Sequence, residues 1–143
     1  AKPLGVRRRP HLLGGAEDRP GLLGAGDFFV PPSRHEPLGN VVLEAWAQGA
    51  AVVAADSFGP GTLIEDRETG LLVPIDDAPA LGSAILSLLD DDKLRSRIAR
   101  QGHQAYKKQF TEKIVIAKYL EFFEAITSGA EGEAGAGSDE ETP

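Results

Sequence analysis

Cysteine is absent from this 143-residue chain, and so is methionine. The first absence removes disulfide staples and thiolate metal or redox chemistry. Three scattered histidines, His11, His35 and His103, argue against a dedicated zinc cluster. Aromatic residues are sparse at 6%, and the bases form no stripe interleaved with them, so nucleic acid is not an expected partner. No apolar run approaches the roughly 20 residues that span a bilayer, and no transmembrane helix is expected. Residues 1–30 carry arginines, glycines and acids in place of an apolar signal core, so no cleavable signal peptide is expected either. With Ala1 at its head and no Met, the chain reads as a fragment.

What remains is ordinary for one globular domain: 41% hydrophobic and 26% charged. The net charge of −7 is unevenly spread. Glu131, Glu133, Asp139, Glu140 and Glu141 sit in residues 129–143 without a base, leaving residues 1–128 with 17 acids against 15 bases. The body is therefore nearly neutral. The tail has no large apolar residue and is read as disordered, because it cannot bury enough surface to offset its ordering entropy.

Short apolar runs alternate with helical patterns along the body. Asp27-Phe28-Phe29-Val30 reads as a strand stopped by Pro31-Pro32. Asn40 to Gln48 reads as a helix with Val41, Val42, Ala45 and Trp46 in i, i+4 relation. Ala50 to Ala55 is a continuous apolar run of the kind buried on both faces. Pro60 is expected to open a short helix through Glu65, and Gly70 to Pro74 to form another strand. Three helices close the body. The first follows Asp76-Asp77, either of which could cap it, and carries Leu81, Ile85, Leu88 and Leu89 as one stripe. The second spans about residues 91–108, with Leu94, Ile98 and Tyr106 inward, and the third follows Thr111 with Ile114, Leu120, Phe123 and Ile126. Upstream, His11-Leu12-Leu13 suits an edge strand, and Gly24 and Gly26 are expected to interrupt a helix over Arg19 to Ala25. The alternation predicts an α/β fold with a parallel sheet.

The densest signal runs from Pro32 to Glu44: a strand stop, a polar loop, then Gly39-Asn40 opening a helix. Such a loop lies outside the carboxyl end of a parallel strand, where open α/β sheets bind ligands. Free amides of Gly39, Asn40 and Val41, with the helix dipole, suit an anion such as phosphate. Glu36 and Glu44 are separated by seven residues, and their carboxylates are expected to face one cleft with the helix N-terminus between them. Carboxylate oxygens accept from vicinal hydroxyls, so phosphate in the middle with polyols on either side describes a nucleotide sugar.

This stretch resembles the E-x7-E motif of the large retaining glycosyltransferase family of GT-B fold (group 1, family-four type), which includes many bacterial lipopolysaccharide and exopolysaccharide glycosyltransferases. The similarity continues through Ala45-Trp46-Ala47-Gln48-Gly49, Val52-Val53-Ala54, Gly59-Pro60-Gly61, Ile64-Glu65, Thr69 to Pro74, Leu88-Leu89-Asp90 and Phe110-Thr111. The resemblance implies an incomplete Rossmann-like domain of about four parallel strands flanked by helices, the later part of the C-terminal half of a GT-B fold. Residues 1–26 would be its loosely defined start, 27–128 the nucleotide-sugar-binding part and 129–143 the tail. It implies that Glu36, taken as the catalytic residue, contacts donor-sugar hydroxyls. Backbone amides of Leu38, Gly39, Asn40 and Val41 would hold the sugar and the diphosphate, and Glu44 the ribose diol. Arg34 and His35 flank the site and are read as supporting residues, with direct ligand contact as the alternative. Trp46 is read as core rather than a sugar platform. Gly59-Pro60-Gly61 is read as a turn and helix start, or else as lying against the sugar.

No cofactor and no obligatory metal are implied, and the donor is a nucleoside-diphosphate sugar. The implied setting is cytoplasmic, at the inner face of the membrane where the acceptor is lipid-linked. Such enzymes are more than twice this length, so an N-terminal acceptor domain or a partner chain is expected to complete the site, and the fragment alone is expected to be inactive. In the usual 3-2-1-4-5-6 sheet order, the missing first strands would strip one neighbour from the strand at Asp27–Val30. The alternative is a non-catalytic nucleotide-sugar-binding subunit that pairs with a separate acceptor-domain chain.

Overall fold

The computed structural model describes residues 14–15 and 18–134, with side chains described up to residue 128. The expected strand at His11–Leu13 and the end of the chain beyond residue 134 lie outside the described residues. The elements in order are α1 (Arg19–Ala25), β1 (Phe28–Phe29), α2 (Asn40–Ala47), β2 (Ala51–Ala55), α3 (Phe58–Leu63), β3 (Leu71–Val73), α4 (Ala78–Asp90), α5 (Asp92–Gln109) and α6 (Glu112–Ala134). Among the described residues no helix is long and apolar enough to cross a membrane.

Three strands form one parallel sheet in the order β1-β2-β3. Phe28 is opposite Ala51 and Phe29 opposite Val52, while Val53, Ala54 and Ala55 face Leu71, Leu72 and Val73. About four strands were expected; three are described, with β1 at the edge of the sheet. Every residue of β2 is buried because helices cover both faces. Its side chains alternate. Val52 and Ala54 join Val42, Ala45 and Trp46 of α2 in one core cluster, whereas Ala51 and Val53 join Leu71, Val73, Leu88 and Ile98 in another.

Local chemistry fixes where the helices start. Asp77 accepts from the Ala80 amide at 2.8 Å and so caps α4, leaving Asp76 free for another contact. Asp91 accepts from the amides of Lys93 and Leu94, both at 2.9 Å, and caps α5. α1 forms in full despite Gly24, because Asp18 caps it through the Gly21 amide at 2.8 Å, Pro20 suits its first turn, and Leu23 packs on the core. α3 starts at Phe58 rather than at Pro60. Pro60 is still within the first turn, where a missing N–H breaks no helical hydrogen bond.

The C-terminal helices depart further from expectation. Leu88 is fully buried, yet Leu89 of the same expected stripe is 52% exposed. Along α6, Leu120, Phe123 and Ile126 are all more than half exposed, together with Tyr119 and Phe122. The apolar residues of α6 are thus not a core stripe of the described body. The helix also continues to Ala134, into the stretch read as a disordered tail. Its Ala and Glu residues are good helix formers that extend an existing helix without a new nucleus.

Trp46 ties the layers together. Its indole is fully buried and donates from Nε1 to the Thr69 carbonyl at 3.1 Å, while the Trp46 carbonyl meets His103 Nδ1 at 2.8 Å. Gly102 of α5 lets the indole lie on the helix backbone: a Cβ there would sit 2.5 Å from the ring and 3.0 Å from the Thr69 carbonyl. Gly102→Ala is therefore expected to lower stability by about 1–3 kcal/mol through overpacking, against the roughly 1 kcal/mol that Ala gains in helix propensity. Thermal unfolding followed by circular dichroism checks this. A raised melting temperature would show that the indole can move aside.

Candidate functional site

The chain leaves β1 at Phe29 and reaches α2 through a loop that folds over the C-terminal end of the sheet. Ala55 donates its N–H to the Pro31 carbonyl at 3.3 Å, which ties the loop's start to β2. Its far end is set by Gly39, which holds a left-handed φ of 72° as the N-cap of α2. Gly59 of α3 presses against this segment, and its N–H donates to the Glu36 carbonyl at 2.7 Å. A Cβ at Gly59 would overlap backbone atoms of Gly39, Glu36 and Leu38, so backbone meets backbone. Gly59-Pro60-Gly61 is thus a helix start that also supports the loop.

The helix N-terminus is partly answered from within. Gly39 donates its amide to the Glu36 carboxylate at 3.1 Å, so this amide is not free as the sequence suggested. Val42 and Leu43 turn back to the Gly39 carbonyl at 2.9 and 3.3 Å. Among the described residues, the amides of Leu38, Asn40 and Val41 have no protein acceptor. They remain available to an anion, and the helix dipole favours one there.

Two stripes of α2 divide its roles. Val42, Ala45 and Trp46 are buried in the core. Asn40, Leu43, Glu44 and Ala47, at i, i+3, i+4 and i+7, line a cleft of about 420 Å3 together with Arg19, Pro20, Leu23, Gln48, Tyr106 and Phe110. Glu44 lies 3.8 Å from the Arg19 guanidinium, with 43% of its side chain exposed. Glu36 instead lines a smaller hollow with Arg34, His35, Pro37 and Phe58. The expectation that both carboxylates face one cleft is therefore corrected. Glu36 is drawn back onto its own loop by the Gly39 amide, whereas Glu44 is carried more than one helical turn along the other side.

The remaining sequence candidates fall around this frame. Leu38 is 70% exposed at the loop tip. His35 is exposed, and Arg34 is turned to Asp76, with which it forms an ion pair through Nε. Four participants were not marked by the sequence: Arg19, Tyr106 and Phe110 in the cleft, and Asp76 behind the loop. Arg19 and Tyr106 come from elements distant in sequence, and no spacing rule connects them to Glu44. Among the described residues, no three His, Asp or Glu side chains gather as a metal ligand set.

Residues 1–91 match the family described as glycosyl transferases group 1. The chain is 43% identical over 121 residues to the lipopolysaccharide core biosynthesis glycosyltransferase LpsE of Rhizobium meliloti (strain 1021), a similarity covering 85% of this chain and 36% of that protein. Its fold is similar to that of Anabaena Alr3699/HepE solved in complex with UDP, with a TM-score of 0.73 and 28% identity over 81% of this chain and 31% of that one. It is also similar to the C-terminal domain of a group 1 glycosyl transferase family protein, LpcC, from Francisella tularensis, with a TM-score of 0.65 and 27% identity over 72% and 53% of the two chains. The chain spans about a third of the length of the curated relatives it matches. Its three parallel strands and flanking helices are the later part of the C-terminal half of a GT-B fold. Because the family match covers residues 1–91 of 143, and with them β1, the loop and α2, the chain belongs to the group 1 glycosyl transferases.

Proposed function

We propose that this chain is the donor-binding portion of a retaining glycosyltransferase that moves a hexosyl group from a nucleoside-diphosphate sugar to an acceptor. One observation carries the reading. The unpartnered amides at the start of α2 stand beside a cleft in which Glu44 follows Asn40 on the same helix face. A diphosphate at those amides would place its nucleoside along α2, with the ribose diol donating to Glu44. The sugar would lie toward Leu38 and Glu36, whose carboxylate then accepts from donor hydroxyls. As the glycosidic bond breaks, negative charge grows on the leaving diphosphate. Amides and a helix dipole already oriented toward it stabilise that charge without reorganising.

The Anabaena protein of similar fold was solved in complex with UDP, which supports a nucleoside diphosphate as the kind of ligand bound. The residues proposed here require no obligatory metal and no cofactor. The acceptor would be held by a further lobe, supplied by the rest of a longer chain or by a partner, closing over the donor. The similarity to a protein named for lipopolysaccharide core biosynthesis favours a polysaccharide or lipid-linked acceptor met at the cytoplasmic face of a membrane.

Calorimetric titration with UDP, GDP, ADP and their sugar forms tests the assignment, because the two glutamates separate in it. Glu44→Ala should weaken every cognate nucleotide by about 1–3 kcal/mol, the loss of a charge-assisted bond, with little change in stability. Glu36→Ala should weaken the sugar form more than the bare nucleotide, and should also cost about 0.5–2 kcal/mol of stability through the lost cap on Gly39. Unchanged nucleotide affinity in Glu44→Ala would remove the ribose assignment.

A further inference from the structure

Behind the loop lies a contact for which neither the proposed chemistry nor the fold has so far given a reason. The first half of the loop, Pro32 to His35, is exposed. The backbone bonds that fix the loop are at Pro31 and at Glu36, on either side of this stretch. Within it, among the described residues, one side chain reaches another element: Arg34 donates from Nε to the Asp76 carboxylate, 42 residues away in the turn between β3 and α4. Arg34 also forms the wall shared by two hollows. One, of about 360 Å3, lies at the ends of β2 and β3 with Asp76 and Asp77; the other is the hollow that Glu36 lines.

Asp76 occupies an uncommon backbone state for this contact. Its φ is 64°, in the left-handed region that glycine adopts freely and that Asp enters more readily than most L-residues. Capping does not explain an acid here, because Asp77 caps α4. Global stability does not explain it either: Arg34 and Asp76 side chains are 71% and 59% exposed, and such pairs contribute little. With capping and stability set aside, what the Asp76 carboxylate does is hold Arg34, and with it the position of the exposed segment.

We propose that Asp76 is a positioning residue for the donor site: its ion pair with Arg34 latches the Pro32–His35 segment and thereby sets where Glu36 stands. This rests on the reading of the loop as the donor-sugar site. Asp76 touches no donor atom and acts only through Arg34.

Two readouts on the same chain test the latch, and the first needs no ligand. Hydrogen exchange at the Gly59 amide reports the Gly59–Glu36 bond. Arg34→Ala and Asp76→Gly, the latter compatible with the left-handed turn, should each speed this exchange by about threefold or more, the scale of an exposed ion pair. The double variant should be no faster than the faster single one, and Asp76→Asn, which keeps an acceptor, should fall between Asp76→Gly and the unmodified chain. Affinity for the cognate nucleotide sugar, measured by calorimetry, should follow the same order. Unchanged exchange in both single variants overturns the latch. So does a loss of sugar-nucleotide affinity in Arg34→Ala that Asp76→Gly does not share, since Arg34 would then hold the ligand itself. If the unmodified chain binds no nucleotide sugar, the donor reading fails, and the exchange measurement still decides whether Asp76 holds the loop.

Discussion

The site depends on a contact between two backbones. Gly59 lies so close to Glu36, Leu38 and Gly39 that no side chain fits between them, and its N–H bond to the Glu36 carbonyl fixes their spacing. Gly39 must take a left-handed turn at the same place to aim α2 back over the sheet. The positions of the amides at the start of α2 and of Glu44 further along follow from this arrangement, which also holds the Glu36 backbone at one end of the loop. Side-chain packing alone could not hold it, because most of the loop is exposed.

The rest of the body gives this contact a rigid base. β2 is buried on both faces, and each face is occupied by a separate core cluster, so the strand ends from which the loops emerge cannot tilt independently. Trp46 locks α2 from below through Thr69, Gly102 and His103. The helix that offers its N-terminus to an anion is thereby anchored at its C-terminus to α5 and to the segment before β3. Such preorganisation is what a site needs if it is to stabilise charge without rearranging. α6 is the exception, since much of its apolar surface remains exposed along the described residues.

Much of this was legible in the sequence because it was local. A continuous apolar run buried on both faces at Ala50–Ala55, prolines stopping β1 and an acid capping α4 each act within a few residues, and the structure places all three close to expectation. The loop with Gly39 at a helix start was also readable, as was a core role for Trp46. What escaped was long-range or directional. Spacing alone could not show that the Glu36 carboxylate turns onto the Gly39 amide, separating it from Glu44. Arg19 reaches Glu44, and Asp76 reaches Arg34, through folding rather than through any pattern along the chain. Gly24 misled because its helix penalty was weighed without the Asp18 cap and the packing of Leu23, which together outweigh it. The apolar residues of α6 show another limit: periodicity marks a surface that suits burial, but not whether the described body buries it.

The most direct measurement is titration of Gly59→Ala with the cognate nucleotide sugar, with circular dichroism confirming that the helices remain. Cβ addition at this position pushes the Glu36–Gly39 backbone away while leaving the Trp46 anchor and both core clusters in place. The account predicts a folded chain whose affinity falls by about tenfold or more, equivalent to about 1.4 kcal/mol. A folded Gly59→Ala chain that binds the nucleotide sugar as tightly as the unmodified one would contradict it, because the donor site would then not be built on this contact.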